Sequence, residues 1–230
     1  MIIQCLITLK FLLLKFQLVP VLRALEKGGK IQELNLSLIS GGYGGDRVAE
    51  LVCRVIPNCR SVQLRSVAFM FEFSWKQLFT ALSDAVLPSL EEFDISKNNL
   101  SDHGSSAAAL ASAVVKIVRV KLMETRLTAL QSSSIFERIS RGGERIEDLD
   151  IMFNNLSHLD PDHLAQAATK LVRLNLGWTK LNERQLERMF ERLDWPQKKN
   201  RKLRELKLSG VDLSCLDRRL LARVVSRRDF

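Results

Sequence analysis

Leu90-Glu91-Glu92-Phe93-Asp94-Ile95-Ser96-Lys97-Asn98-Asn99-Leu100 carries apolar side chains at its first, fourth, sixth and eleventh positions and an amide at its ninth. Phe93 and Ile95, two apart, follow the period of a strand with one buried face. The same frame fits Ile117, Val120, Leu122, Thr125, Leu127, and again Ile146, Leu149, Ile151, Asn154, Leu156. It fits Leu171, Leu174, Leu176, Thr179, Leu181 and then Leu203, Leu206, Leu208, Val211, Leu213. Fainter copies hold the strand part at Ile31, Leu34, Leu36 and at Cys59, Val62, Leu64, and a first copy at Leu6, Leu9, Phe11, Leu14, Phe16. About eight copies therefore start near 6, 31, 59, 90, 117, 146, 171 and 203. A fixed period of this length marks a stacked array in which no unit can bury its apolar face alone.

A longer period overlies the first. The ninth position alternates Asn98, Thr125, Asn154, Thr179. Phe136-Glu-Arg-Ile139 recurs as Phe190-Glu-Arg-Leu193, and Ser157-His-Leu-Asp160 recurs as Ser214-Cys-Leu-Asp217. These offsets indicate duplication of a two-copy unit. Between the strand segments the spacing turns helical: Val48, Leu51, Val52, Val55; Leu78, Leu82, Val86; Leu164, Ala168; Leu186, Met189, Phe190, Leu193. Asp160-Pro161 and Leu181-Asn182-Glu183-Arg184 read as helix starts.

The pattern resembles the ribonuclease-inhibitor-like class of leucine-rich repeats, firmly from Leu90 to Leu213 and loosely before. That class includes the Ran GTPase-activating protein and the repeat regions of NOD-like receptors. The resemblance implies an α/β solenoid, a right-handed horseshoe, with ninth-position side chains bonding the backbone of each turn. It specifies a fold far better than a function. Physical spacing leads to the same shape: parallel strands sit about 4.8 Å apart and helices about 10 Å apart, so the stack curves with its strands inside. The expected organisation is one repeat domain over residues 1–230. Neither end reads as a polar cap, so the chain is expected to be a piece of a longer array or to cover its ends with partners.

On the inner sheet the variable positions alternate in sign. Glu92, Arg119, Asp148, Arg173 and Glu205 form one row, and Asp94, Lys121 and Asp150 another. The rows read either as a self-neutralising ladder of about 0.2–1 kcal/mol per pair or as a charged docking stripe. Such alternation makes nucleic acid an unfavourable partner for this face. Met123, Met152, Phe153 and Trp178 fall at or beside consecutive strand ends. They either anchor a partner or fold down onto the turns. Phe69, Phe71, Phe73 and Trp75 form a second aromatic cluster, expected to be core.

The chain has 230 residues, 46% hydrophobic and 27% charged, with a formal charge of +9. Most of that charge lies beyond Lys198, making a basic pole that suits either solvent or an anionic ligand. Cys5, Cys53, Cys59 and Cys215 are scattered, which favours a reducing compartment and hence the cytoplasm. The basic run Gln197–Lys202 resembles a short nuclear-import signal, making the nucleus the alternative. The apolar start, Met1–Leu14, is interrupted by Lys10 and lacks the length of a membrane span and the flanks of a signal peptide.

Chemistry is poorly supported. His103, His158 and His163 are dispersed, and neither G-x-S-x-G nor H-E-x-x-H occurs. Gly41-Gly-Tyr-Gly-Gly45 lacks the Lys and Ser/Thr of a phosphate loop. No cofactor, metal or catalytic residue is expected. The expected function is a non-catalytic scaffold or sensor module that binds a protein on the strand face, through Met123, Met152, Phe153, Trp178, Arg119, Lys121, Asp148, Asp150 and Arg173. Two alternatives stand beside it. One is a regulator of a small GTPase, which the resemblance to the Ran activator implies, although a basic rather than acidic end departs from that family. The other is an anionic-ligand or nucleic-acid binder acting through the basic pole.

Overall fold

The computed structural model describes residues 18–27, 30–37, 45–67, 74–101, 107–142, 145–194 and 202–225. The first copy at Leu6–Phe16, the glycine run before Gly45, Phe69, Phe71, Phe73, His103 and all but the end of the Gln197–Lys202 run lie outside them. The order of elements is α1 (Leu18–Glu26), β1 (Ile31–Asn35), α2 (Gly45–Val55), β2 (Cys59–Gln63), α3 (Ser74–Asp84), β3 (Glu92–Asp94), α4 (Ala107–Val115), β4 (Arg119–Lys121), α5 (Ala129–Arg141), β5 (Asp148–Asp150), α6 (Pro161–Lys170), β6 (Arg173–Asn175), α7 (Glu183–Asp194), β7 (Glu205–Lys207) and α8 (Arg218–Val225). A short 3-10 turn, Ile56–Asn58, leads into β2.

The seven strands form one sheet in chain order, and every neighbouring pair is parallel. A helix between consecutive strands supplies the crossover that parallel pairing requires. The register aligns the fourth position of each copy, so Leu34, Val62, Phe93, Val120, Leu149, Leu174 and Leu206 stand side by side. All but Leu206 are buried, and they join the sixth-position residues and the inward helix faces in one continuous core. Leu206, Leu208, Val211 and Leu213 of the last copy are only partly buried against it. The variable positions flanking each fourth residue face away from that core, which leaves the other side of the sheet open. Each helix packs on the next in sequence, from α1 on α2 to α7 on α8.

The ninth-position side chains close the turns, in two ways that alternate. The Asn98 amide donates to Leu64 O (2.7 Å) and Ile95 O (2.6 Å), while its oxygen accepts from Val67 N (2.7 Å). Asn154 repeats this on Leu122 O (2.7 Å), Ile151 O (3.0 Å) and Leu127 N (3.1 Å). Each asparagine thus bonds its own turn and the preceding one. Thr125 and Thr179 donate to Leu122 O (2.8 Å) and Leu176 O (2.6 Å), carbonyls of their own turns. The asparagine-type turn completes itself on the next backbone: Leu100 N donates to Thr125 O, and Leu156 N to Thr179 O.

The two-copy period extends to the helices. Thr128 caps α5 in a reciprocal box with Gln131, and Asn182 and Gln185 do the same at α7. Both glutamines are buried and also donate to carbonyls of the preceding unit, Gln131 to Leu100 O (3.1 Å) and Gln185 to Leu156 O (2.9 Å) and Leu159 O (2.8 Å). The intervening helices α6 and α8 start instead on Asp160 and Asp217, whose carboxylates accept from the second and third backbone amides beyond them.

Val86 departs from the sequence expectation. It was placed on the buried face with Leu78 and Leu82, yet it lies two residues past the end of α3 and is 83% exposed. Pro88 accounts for the break: in a continued helix it would have no amide for the carbonyl four residues back, that of Asp84, and its ring would clash there, so the helix stops short of Val86. The freed carbonyls are taken by cations from later units. The Lys116 ammonium donates to Ser83 O and Ala85 O. Arg145 donates to Leu87 O (2.7 Å) and Pro88 O (3.3 Å), while its own amide bonds Val115 O.

These turns order the expected stabilities of two variants. Asn154→Ala strips partners from two buried carbonyls and an amide at once, and should cost about 3–4 kcal/mol. Thr179→Ala removes one donor and should cost about 1–2 kcal/mol. Urea denaturation measures both; equal losses would contradict the bridging role of the asparagine.

Candidate functional site

All nine residues expected to bind a partner fall on β4, β5, β6 and the turns that follow them. Arg119↔Asp148↔Arg173 and Lys121↔Asp150 are direct lateral neighbours. The ladder of ion pairs, however, is only half formed. Arg119 turns towards β3, contacting Glu91 (3.2 Å) and Glu92 (3.8 Å) and leaving Asp148 aside. Lys121 reaches diagonally to Glu92 (2.6 Å), not to Asp94 or Asp150. Arg173 pairs with Asp148, and this contact holds its guanidinium pKa above the ordinary value. Lys207 bonds Glu205 on its own strand (2.9 Å). The physical reason is reach: long basic side chains choose among several carboxylates around them, and register alone does not decide the choice.

Carboxylates at the fifth position are partly structural. Asp94 and Asp150 each accept from the amide two residues on, Ser96 N (3.0 Å) and Met152 N (3.2 Å), as Asn35 and Asn175 do with Ser37 and Gly177. Glu91, outside the expected set, accepts from Arg60 (3.1 Å) and Arg119 (3.2 Å) across three rungs. The Arg60 hydrogen bond, followed by the nearby charges and the Arg119 bond, holds its carboxyl below the ordinary range.

Beyond β2 to β7 the chain turns through a left-handed residue at the eighth position of the frame. Ser66, Lys97, Glu124, Phe153 and Trp178 have φ between 51° and 61°, and Gly210 has 69°. Their amides continue the ladder past the strand ends: Glu124 N donates to Met152 O (3.0 Å), Phe153 N to Gly177 O (3.0 Å) and Trp178 N to Ser209 O (2.8 Å). Positive φ is uncommon outside glycine and is costly for bulky side chains. Its recurrence in six successive turns makes it a property of the turn and not of one functional residue.

This backbone decides between the two sequence readings of the aromatics. Phe153 and Trp178 do not fold down; they are 48% and 55% exposed. Their rings stack on each other, with centroids 6.0 Å apart and planes 10° from parallel. Gly210 continues the column, since a Cβ there would lie 2.4 Å from the Trp178 ring. Trp178 is therefore enclosed between Phe153 and the Gly210 backbone, while the outer face of Phe153 is turned towards the Glu124 rung. Met123 and Met152 sit half-buried on the strand side, with the Asn175 amide 3.4 Å from the Met152 sulfur. Sequence reasoning missed the left-handed column, for which Gly210 in the eighth place was the available signal.

Groups that resemble catalytic machinery are otherwise explained. Ser132 lies 2.8 Å from His158 Nε2, but it is buried in α5 and bonds the Thr128 and Ala129 carbonyls. Burial pushes the Cys53 and Cys59 thiols up to about 11 and about 12, away from the reactive thiolate. Among the described residues no group of three or more His, Cys, Asp or Glu side chains is placed to hold a metal, and no helix is long and apolar enough to cross a membrane. Trp75 is buried and stacks on Phe79, a core role.

No family model matches the chain, and no curated protein matches it. Among solved structures it is similar to the tropomodulin C-terminal domain of Caenorhabditis elegans, at 13% identity over 91% of this chain and 87% of that one, with a TM-score of 0.35.

Two outcomes follow from this geometry. Gly210→Ala should displace the Trp178 indole, change its near-ultraviolet circular dichroism against a Trp178→Phe reference, and cost about 1–3 kcal/mol; an unaltered aromatic signal would show that the column does not depend on the glycine. The depressed Glu91 pKa means that its stabilisation is complete above the unfolded value near 4.5 and is lost as pH falls through the lower folded value. Carboxyl chemical shifts measured against pH, with Arg60→Ala as reference, should show Glu91 titrating higher in the variant.

Proposed function

We propose that this chain is a leucine-rich-repeat solenoid whose strands line a concave face, and that it is a non-catalytic module that holds a protein partner there. The single observation carrying the functional reading is the exposed Phe153–Trp178 stack. Two large aromatic rings are half exposed on two consecutive rungs of the sheet, held by each other and by Gly210 on the next rung. Exposed aromatic anchors flanked by methionine are typical of interface centres, because they contribute contact area with little ordering cost on binding. Arg119, Lys121, Asp148, Asp150 and Arg173 lie beside them as a charged border that selects a partner more than it tightens binding. The sheet built in chain order, with one helix between successive strands, supports the solenoid reading.

Proximity labelling with wild type and a Phe153→Ala/Trp178→Ala double variant tests this reading, with folding checked by circular dichroism. The folded variant should lose its protein partner, with affinity weakened about 100-fold or more. Partners unchanged in a folded variant would move binding away from this face. Accelerated GTP hydrolysis across a panel of small GTPases would instead support the regulator reading, and steep salt dependence would support an anionic ligand on the basic pole.

A further inference from the structure

Along the strands themselves the ion pairs leave carboxylates over, although the whole chain carries +9 and the turns also hold Lys97, Arg126 and Lys180. Arg119 and Lys121 are drawn to the glutamates of β3, Arg173 to Asp148, and Lys207 to Glu205. Two carboxylates next to the aromatic column gain no cation from this rearrangement. Asp150 accepts one backbone hydrogen bond and has no basic group within 4.0 Å among the described residues. Glu124 is exposed, and no ion pair reaches it among the described residues. Lys97 stands one rung beyond Glu124, on the side away from Phe153, and Arg126 and Lys180 lie two residues further along their own turns.

Glu124 occupies the same turn position as Phe153 on the adjacent rung, tied to it through the Glu124 N to Met152 O bond. Asp150 lies on the same rung as Met152 and Phe153. Since one face of Trp178 meets Phe153 and the other meets Gly210, the half-exposed Phe153 ring turns its other face towards the rung of Glu124, a carboxylate with no ion pair among the described residues. An aromatic face next to an unpaired carboxylate suits a cation on a flat or slender stem. A guanidinium lies across the ring and donates to the acid at its edge, while neighbouring apolar side chains rest on the methionines.

We propose that the partner segment seated on this column is basic, with an arginine placed between the Phe153 ring and the Glu124 and Asp150 carboxylates. This rests on the reading of the Phe153–Trp178 surface as the partner-binding site and adds the partner's chemistry. The segment carries apolar residues for Met123 and Met152 next to its arginine. An acidic segment meets two like charges there.

The test uses the full chain and two synthetic peptides of equal length and identical apolar residues, one carrying arginines where the other carries glutamates. A third peptide carries serines at those places. Fluorescence polarisation at about 0.15 M ionic strength measures binding. The arginine peptide should bind about tenfold or more tighter than the serine peptide, and the glutamate peptide should bind weakest. Glu124→Lys/Asp150→Lys should reverse that order while leaving the near-ultraviolet signal of the aromatic column intact. Serine and arginine peptides bound equally and lost with Phe153→Ala would overturn the basic partner and leave the interface reading standing. No binding of the arginine peptide overturns the proposal as well. Phe153-dependent self-association in sedimentation would make a second copy of the chain the occupant and overturn it too. If in addition the Phe153→Ala/Trp178→Ala variant keeps all its captured partners, the interface reading falls with it.

Discussion

The Asn154 side chain donates to the Leu122 and Ile151 carbonyls and accepts from the Leu127 amide, which makes it a member of two turns at once. A parallel strand of three residues leaves most backbone groups of its unit to be satisfied elsewhere, and a buried group without a partner costs more than a hydrogen bond returns. The chain has to turn away from the sheet, under cover of its neighbours, after every strand. Asparagine solves this at alternate turns by replacing a piece of backbone with an amide. The Thr125 turn needs less from its own side chain, because the following Asn154 reaches back to it. The two-copy period of the sequence is the record of that division: a self-closing turn is followed by one that closes two.

The same turns create the surface. Once the ladder is carried past the strand end, the eighth residue is forced into a left-handed backbone and its side chain is thrown outward at the rim. In the turns of β2, β3 and β4 that position holds Ser66, Lys97 and Glu124, which water solvates. In the turns of β5 and β6 it holds Phe153 and Trp178, which water does not. Their exposure is a consequence of how the backbone is closed, and the stack on Gly210 limits the apolar area left open. The ring placement is therefore set by the same backbone that closes the turn.

Most of this architecture was legible from residues. The apolar frame located every strand among the described residues, including the fainter copies at Ile31 and Cys59, because a buried fourth and sixth position leaves few substitutes for a branched or aromatic side chain. The ninth-position amides were legible for a similar reason, as few side chains both donate and accept within a buried turn. Gln131 and Gln185 escaped notice, although their offset matches that of Phe136 and Phe190, because a polar residue in a helix usually reads as surface. The ion pairs escaped for another reason. Arg119 has acceptors on both sides, and sequence spacing does not rank them. Val86 was misplaced because helical periodicity was extended past Asp84, where the helix ends four residues ahead of Pro88. Phe153 and Trp178 were located correctly but left undecided between surface and turn, since nothing in an aromatic residue announces a positive φ.

Arg145 introduces a different kind of dependence. Its guanidinium holds the Leu87 and Pro88 carbonyls, while its amide holds Val115. It thus joins a unit to the next but one, where the extensive helix packing joins successive neighbours. In a linear chain of coupled elements with nearest-neighbour contacts alone, fraying proceeds inward one unit at a time. A next-nearest contact merges the units it spans into one cooperative block. The contact therefore couples the opening of the units that hold Leu87 and Arg145 more tightly than stacking between adjacent units alone.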